Sequence, residues 1–165
     1  MFFILNKSST FVGNKQDMII VIFGQPGCGK TTLSYELDIN HWILDGDRLR
    51  AVFKDKDFSR EGRIKNLNRA SDIAVFNHAS HAGVTIAMVY PYEECRKYLT
   101  DMCKRLKISL KWVYLIYEED RGKNKFKVED FELPHIDDIT TIINTSNTSI
   151  KDSVDKIKRA CRIFS

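Results

Sequence analysis

The sequence lacks any apolar run long enough to cross a bilayer. Its clearest one, Met18-Ile19-Ile20-Val21-Ile22-Phe23, ends at Gly24, far short of the roughly 20 residues a spanning helix needs. It lacks a dominant charge sign: 26 basic against 22 acidic residues leave +4. That balance suits an anionic small substrate as well as nucleic acid and selects neither. CxxC and metal-finger spacings are missing, so Cys28, Cys95, Cys103 and Cys161 are read as free thiols in a reducing compartment, not as staples. His41, His78, His81 and His135 show no metal spacing and are read as surface or half-buried residues. No internal repeat is visible. Met1-Phe2-Phe3-Ile4-Leu5 is apolar but short, with no basic lead-in, which makes a poor signal peptide. The expectation is a cytoplasmic protein with no membrane partner. What is present is ordinary globular composition, 43% hydrophobic and 29% charged over 165 residues, enough for one domain with its own core.

Residues 1–17 read as a lead-in and 18–165 as the domain. The run 18–23 is apolar on both faces, as in a central strand of a parallel sheet. Further strands are expected at 42–45, 84–90, 111–117 and 141–144. Helices are expected from near Lys30, over 60–82 (with Ile64, Leu67, Ala70 and Ala74 on one face), over 92–106, and over 150–162. The last places Ile150, Val154, Ile157 and Ala160 or Cys161 on one face. Trp42 and Trp112 are expected in the core. Alternating strands and helices predict an α/β fold with a mainly parallel sheet flanked by helices in three layers. The polar stretch 118–138 reads either as a short lid or as a solvated excursion.

Gly24-Gln25-Pro26-Gly27-Cys28-Gly29-Lys30-Thr31 matches GxxxxGK[ST], between a strand and a helix. Glycines let consecutive amides turn inward onto phosphate oxygens, and the following helix presents its N-terminus to the same anion. Lys30 is expected to neutralise the β- and γ-phosphates of ATP, with the Thr31 hydroxyl on Mg²⁺ and Thr32 completing the site. This predicts the P-loop NTPase form of the α/β fold. No NKxD guanine signature follows the phosphate loop, which leaves small nucleotide-dependent kinases.

Leu44-Asp45-Gly46-Asp47-Arg48-Leu49-Arg50 follows the second strand. Residues just past a strand's carboxyl end face the ligand crevice in such sheets. Asp45 and Asp47 therefore fall near the γ-phosphate, where a carboxylate either takes the acceptor's proton or supports the metal. Asp-Gly is equally at home in a turn. In Phe58-Ser59-Arg60-Glu61-Gly62-Arg63-Ile64-Lys65-Asn66, Ser59 reads as an N-cap. Arg63 and Asn66 share a helix face, and the arginine fork suits phosphate or sulfate oxygens.

With the P-loop, the LDGDRLR at 44–50, the FSREGRIKN at 58–66 and the Pro91-Tyr92 pair in this order, the sequence resembles the adenylylsulfate kinases. The resemblance implies transfer of the ATP γ-phosphate to the ribose 3′-hydroxyl of a small anionic nucleotide. Lys30, Asp45 and Asp47 would then be catalytic, and Thr31 and Asp45 would serve the metal. Asp47, Arg50, Phe58, Arg63, Asn66, Pro91 and Tyr92 would bind the acceptor, with Phe58 stacking on its base. Arg121 would stack on the ATP adenine, Lys123 or Lys125 would touch phosphates, and Phe126 or Phe131 would close over the acceptor. Relatives are often homodimers.

The sequence departs from the family at three places. Tyr90 stands where the family has serine before Pro-Tyr, Arg48 stands where asparagine is usual, and the lid is short. These changes admit an alternative acceptor, as in cytidine diphosphoramidate kinase of capsule biosynthesis, which resembles the same family. Two further alternatives are a kinase acting on nucleic-acid hydroxyls and a non-catalytic nucleotide-binding module. The near-balanced charge disfavours the first, and the joint presence of Lys30, Thr31, Asp45 and Asp47 disfavours the second.

Overall fold

A computed structural model describes residues 17–80, 83–118 and 126–163. Five strands, β1 (Ile19–Phe23), β2 (His41–Asp45), β3 (Gly83–Ala87), β4 (Leu110–Ile116) and β5 (Thr141–Asn144), form one sheet in the order β2-β3-β1-β4-β5. Every pairing is parallel. The helices are α1 (Lys30–Glu36), α2 (Gly46–Phe53), α3 (Arg60–Ala79), α4 (Glu93–Leu106) and α5 (Ile150–Cys161).

The unbroken apolar sequence of β1 is explained by two separate cores. Ile19, Val21 and Phe23 face a cluster containing Leu49 of α2, Leu67, Ala70 and Ala74 of α3, and Cys95, Leu99 and Cys103 of α4. Ile20 and Ile22 face the opposite cluster with Leu33 of α1 and Val154, Ile157 and Cys161 of α5. Both faces of the central strand are thus removed from water, worth roughly 1.5–3 kcal/mol for each large side chain. Helices on both faces give the three-layer P-loop architecture. All four cysteine thiols are free and buried; burial pushes the thiol of Cys161 up to about 11 and those of Cys95 and Cys103 up to about 12. Among the described residues, no helix is long and apolar enough to cross a membrane.

Local chemistry sets the helix starts. Ser59 Oγ accepts the Gly62 amide at 3.1 Å and caps α3 as expected. Helix α2 was not foreseen. Asp45 caps it by accepting the amides of Asp47 and Arg48, which turns an apparent Asp-Gly turn into two turns of helix. Three expectations are corrected. The third strand ends at Ala87, not at residue 90, because the chain bends at Tyr90, whose φ is +43°. Trp42 is 40% exposed, since β2 is a sheet edge with one neighbour. Ile150 is exposed at the first turn of α5, while Val154, Ile157 and Cys161 are buried. Within 118–138, the described residues include a 3-10 turn at Ile136–Asp138.

Candidate active site

The loops after β1, β2 and β3 leave the same carboxyl edge of the sheet. They surround a cavity of about 750 Å³. Pro26, Gly27, Gly29, Lys30, Thr31 and Thr32 of the phosphate loop line it, as do Asp45 and Asp47. Arg50, Phe58, Arg63 and Asn66 line the same space, with Pro91, Phe126 and Lys127.

The loop's shape follows from its glycines and from its outer contacts. Gly24, Gly27 and Gly29 have φ of +144°, +89° and +97°, which side chains disfavour. At Gly24 a Cβ would also collide with the Leu115 carbonyl oxygen. Tyr117 donates its hydroxyl to the Pro26 carbonyl at 2.9 Å, and Thr145 donates Oγ1 to the Cys28 carbonyl at 3.0 Å. These carbonyls are thereby engaged from the β4 and β5 side, a geometry in which loop amides are left for an anion. No side chain caps α1, so its first-turn amides keep capacity for phosphate oxygens.

Lys30 Nζ lies inside the loop, donating to the Gly24 and Gln25 carbonyls at 3.0 and 2.8 Å. Burial pushes the ammonium below the usual lysine range, opposed by Cys28, Asp47 and Asp45. An incoming polyphosphate would supply the counter-charge that this buried cation lacks.

Thr31 donates Oγ1 to Asp45 Oδ2 at 2.7 Å. The other Asp45 oxygen accepts the Asp47 and Arg48 amides at 3.0 and 3.1 Å. Asp45 is therefore committed to α2 and to Thr31. The Asp47 side chain forms no hydrogen bond or ion pair among the described residues, and it lines the cavity. Asp47 and Arg50 are three apart on α2, hence on one face.

On the acceptor side, the Arg50 guanidinium lies 4.3 Å from the Phe58 ring centroid, and that of Arg63 lies 5.6 Å away. Arg50 donates to Asp55 at 3.2 Å and to the Asp57 carbonyl at 2.8 Å; Arg63 donates Nε to the Phe58 carbonyl at 2.9 Å. Burial lowers the Arg50 pKa and Asp55 opposes it. Phe58 is 58% exposed, while Asn66 is only 2% exposed and its Oδ1 lacks a partner among the described residues. An exposed aromatic ring near two cations, in the same cavity as a buried amide oxygen, suits a planar ring carrying anionic groups.

Among the described residues, no cluster of three or more His, Cys, Asp or Glu side chains is placed to hold a metal ion. The Thr31 hydroxyl and Asp45 carboxylate are hard oxygen donors beside the phosphate loop. They fit Mg²⁺, which keeps several waters and takes substrate phosphate oxygens in place of a full protein cage.

The family model of adenylylsulphate kinase matches residues 16–125. The chain belongs to this family. An adenylyl-sulfate kinase of Pseudomonas entomophila is 35% identical over 82 residues, covering 44% of this chain and 39% of that protein. The chain thus spans about two fifths of the length of that relative. An APS kinase of Mycobacterium tuberculosis, solved with AMPPNP and APS, superposes with a TM-score of 0.76 at 17% identity, covering 88% of this chain and 97% of that one. A gluconokinase of Sinorhizobium meliloti superposes with a TM-score of 0.64 at 13% identity, covering 88% and 92%. At such identities these structures establish the shared fold alone.

Several expected residues lie off the cavity. The Gly24 position abuts Leu115, and Cys28 is fully buried. The Gln25 side chain turns to Val128. Tyr92 is buried, with Arg60 4.0 Å above its ring and its hydroxyl donating to Asp130. Tyr90, one of the departures read as admitting a different acceptor, instead has its ring in the core, edge-on to Trp112, with its hydroxyl 2.9 Å from Ser71 Oγ. Arg48 donates to the Tyr35 hydroxyl at 2.8 Å, away from the cavity. Phe131 stacks on Tyr114 at 6.1 Å. Arg121, Lys123 and Lys125 lie outside the described residues. Sequence reasoning missed Leu67, Met88 and Val89 as cavity walls. For Met88 and Val89 the available signal was their position just past the carboxyl end of a strand.

Proposed function

We propose that the protein is an ATP-dependent kinase that phosphorylates the ribose 3′-hydroxyl of an anionic nucleotide, with adenylylsulfate as the leading acceptor. The carrying observation is that the phosphate loop and the Phe58–Arg50–Arg63–Asn66 group share one cavity, with Asp47, whose carboxylate has no hydrogen bond or ion pair among the described residues, also on its wall.

In this reading the loop amides and Lys30 hold the β- and γ-phosphates. Thr31 and Asp45 hold Mg²⁺, which when bound neutralises charge on the phosphate oxygens. Phe58 stacks on the acceptor base, and Arg50 and Arg63 face its anionic bridge. Asp47 accepts the proton of the 3′-hydroxyl as its oxygen bonds to the γ-phosphorus. The bond from that phosphorus to the bridging oxygen breaks and ADP leaves with the electron pair. Positioning and charge stabilisation supply most of the acceleration, as phosphoryl transfer requires.

The test is ADP release with Mg²⁺-ATP and either adenylylsulfate or cytidine diphosphoramidate. Both belong in the assay because stacking on Phe58 accepts either base. Release that depends on a nucleotide acceptor supports the reading; release no faster than with ATP alone sinks it. Arg63→Ala is expected to raise the acceptor KM about tenfold, the loss of one charge-assisted contact, with ATP KM nearly unchanged. An effect confined to ATP KM contradicts the role.

A further inference from the structure

Gln25 occupies the second position of the phosphate loop, yet only its backbone serves that loop. Its carbonyl accepts from Lys30 at 2.8 Å. Its side chain points elsewhere: Nε2 donates to the Val128 carbonyl at 3.0 Å, and Oε1 accepts the Val128 amide at 2.9 Å. The two residues are 103 apart in sequence. The side-chain amide thus engages both backbone groups of Val128, as a residue of an adjoining antiparallel strand would, and Val128 is only 3% exposed. Glutamine alone among side chains of this length offers a donor and an acceptor at neutral pH.

Phe126 and Lys127 immediately precede Val128 and line the same cavity as the phosphate loop. Further along, the Glu132 amide donates to the Pro91 carbonyl at 2.8 Å, and Arg60 reaches Asp130 and Glu132 at 3.3 and 3.1 Å. Those ion pairs are 40% or more exposed at every member, so they hold the segment only weakly. The part-buried reciprocal pair at Gln25 engages both backbone groups of Val128, directly beside Phe126 and Lys127 in the chain.

We propose that Gln25 is a positioning residue whose side-chain amide fastens the 126–128 stretch to the phosphate loop, setting Phe126 and Lys127 over the acceptor. The acceptor part rests on the kinase reading above; the fastening itself does not. Gln25→Leu keeps the loop backbone and approximate volume while removing both hydrogen bonds. Gln25→Glu keeps the acceptor for the Val128 amide but sets a carboxylate against the Val128 carbonyl; protonating that carboxyl restores a donor.

Amide hydrogen exchange and steady-state kinetics are measured on the full chain. In Gln25→Leu, exchange at Val128 is expected to accelerate about tenfold or more, the loss of a hydrogen bond at a buried amide. Amides of β1 should keep their wild-type rates, which checks that the variant is folded. Acceptor KM should rise several-fold with ATP KM unchanged. In Gln25→Glu, the acceptor KM relative to wild type should recover as pH falls from 8 toward the carboxyl's pKa. Wild-type exchange at Val128 in Gln25→Leu, or equal rises in acceptor and ATP KM, overturns the proposal. If the unaltered protein turns over no acceptor, the functional reading fails, and exchange at Val128 alone decides the fastening.

Discussion

Lys30→Ala is expected to lower turnover by about 10²–10³-fold, the range for losing one preorganised donor to developing charge. The structure places this ammonium within the loop, held by the Gly24 and Gln25 carbonyls, where an entering phosphate exchanges those neutral partners for anionic oxygens. Desolvation already holds its pKa down. A bound polyphosphate stabilises the charged form and raises it again. Charge, not volume, carries the effect, so Lys30→Met should fail as badly as Lys30→Ala. The check is ADP release under saturating ATP and acceptor. A kcat within threefold of wild type would remove Lys30 from the reaction.

Asp47→Asn is expected to lower kcat about 10²-fold, the lower range for losing a general base, with acceptor KM changed little. The assignment separates two carboxylates that look alike in the sequence. Asp45 uses both oxygens, one on Thr31 and one on the α2 amides, where it caps the helix. Asp47 has no such commitment, and its backbone amide, not its carboxylate, makes the capping bond. Asparagine keeps the size and the cap and removes only the basicity. An unchanged kcat with a raised acceptor KM would make Asp47 a binding group instead.

Much of this was legible before any coordinates. The run 18–23 announced a doubly covered strand, and the eight-residue glycine motif marked the loop that lines the cavity. The FSREGRIKN stretch placed Arg63 and Asn66 on one face of α3. What escaped depended on contacts distant in sequence or on a cap hidden in a turn signal. Helix α2 escaped because Asp45 is at once a strand end and a cap. Tyr90 was misread because its direction is set by a positive φ and by Ser71, 19 residues away. Gln25 was legible as a loop member but not as the partner of Val128, since no local pattern links positions 103 apart.

The central claim is transfer to a ribose 3′-hydroxyl, and the most direct measurement follows the γ-phosphate itself. ATP labelled at that position is incubated with the protein, Mg²⁺ and either adenylylsulfate or its 3′-deoxy counterpart. The account predicts label on the first nucleotide and none on the second. Label on both, or on neither while ATP is still consumed, would contradict it.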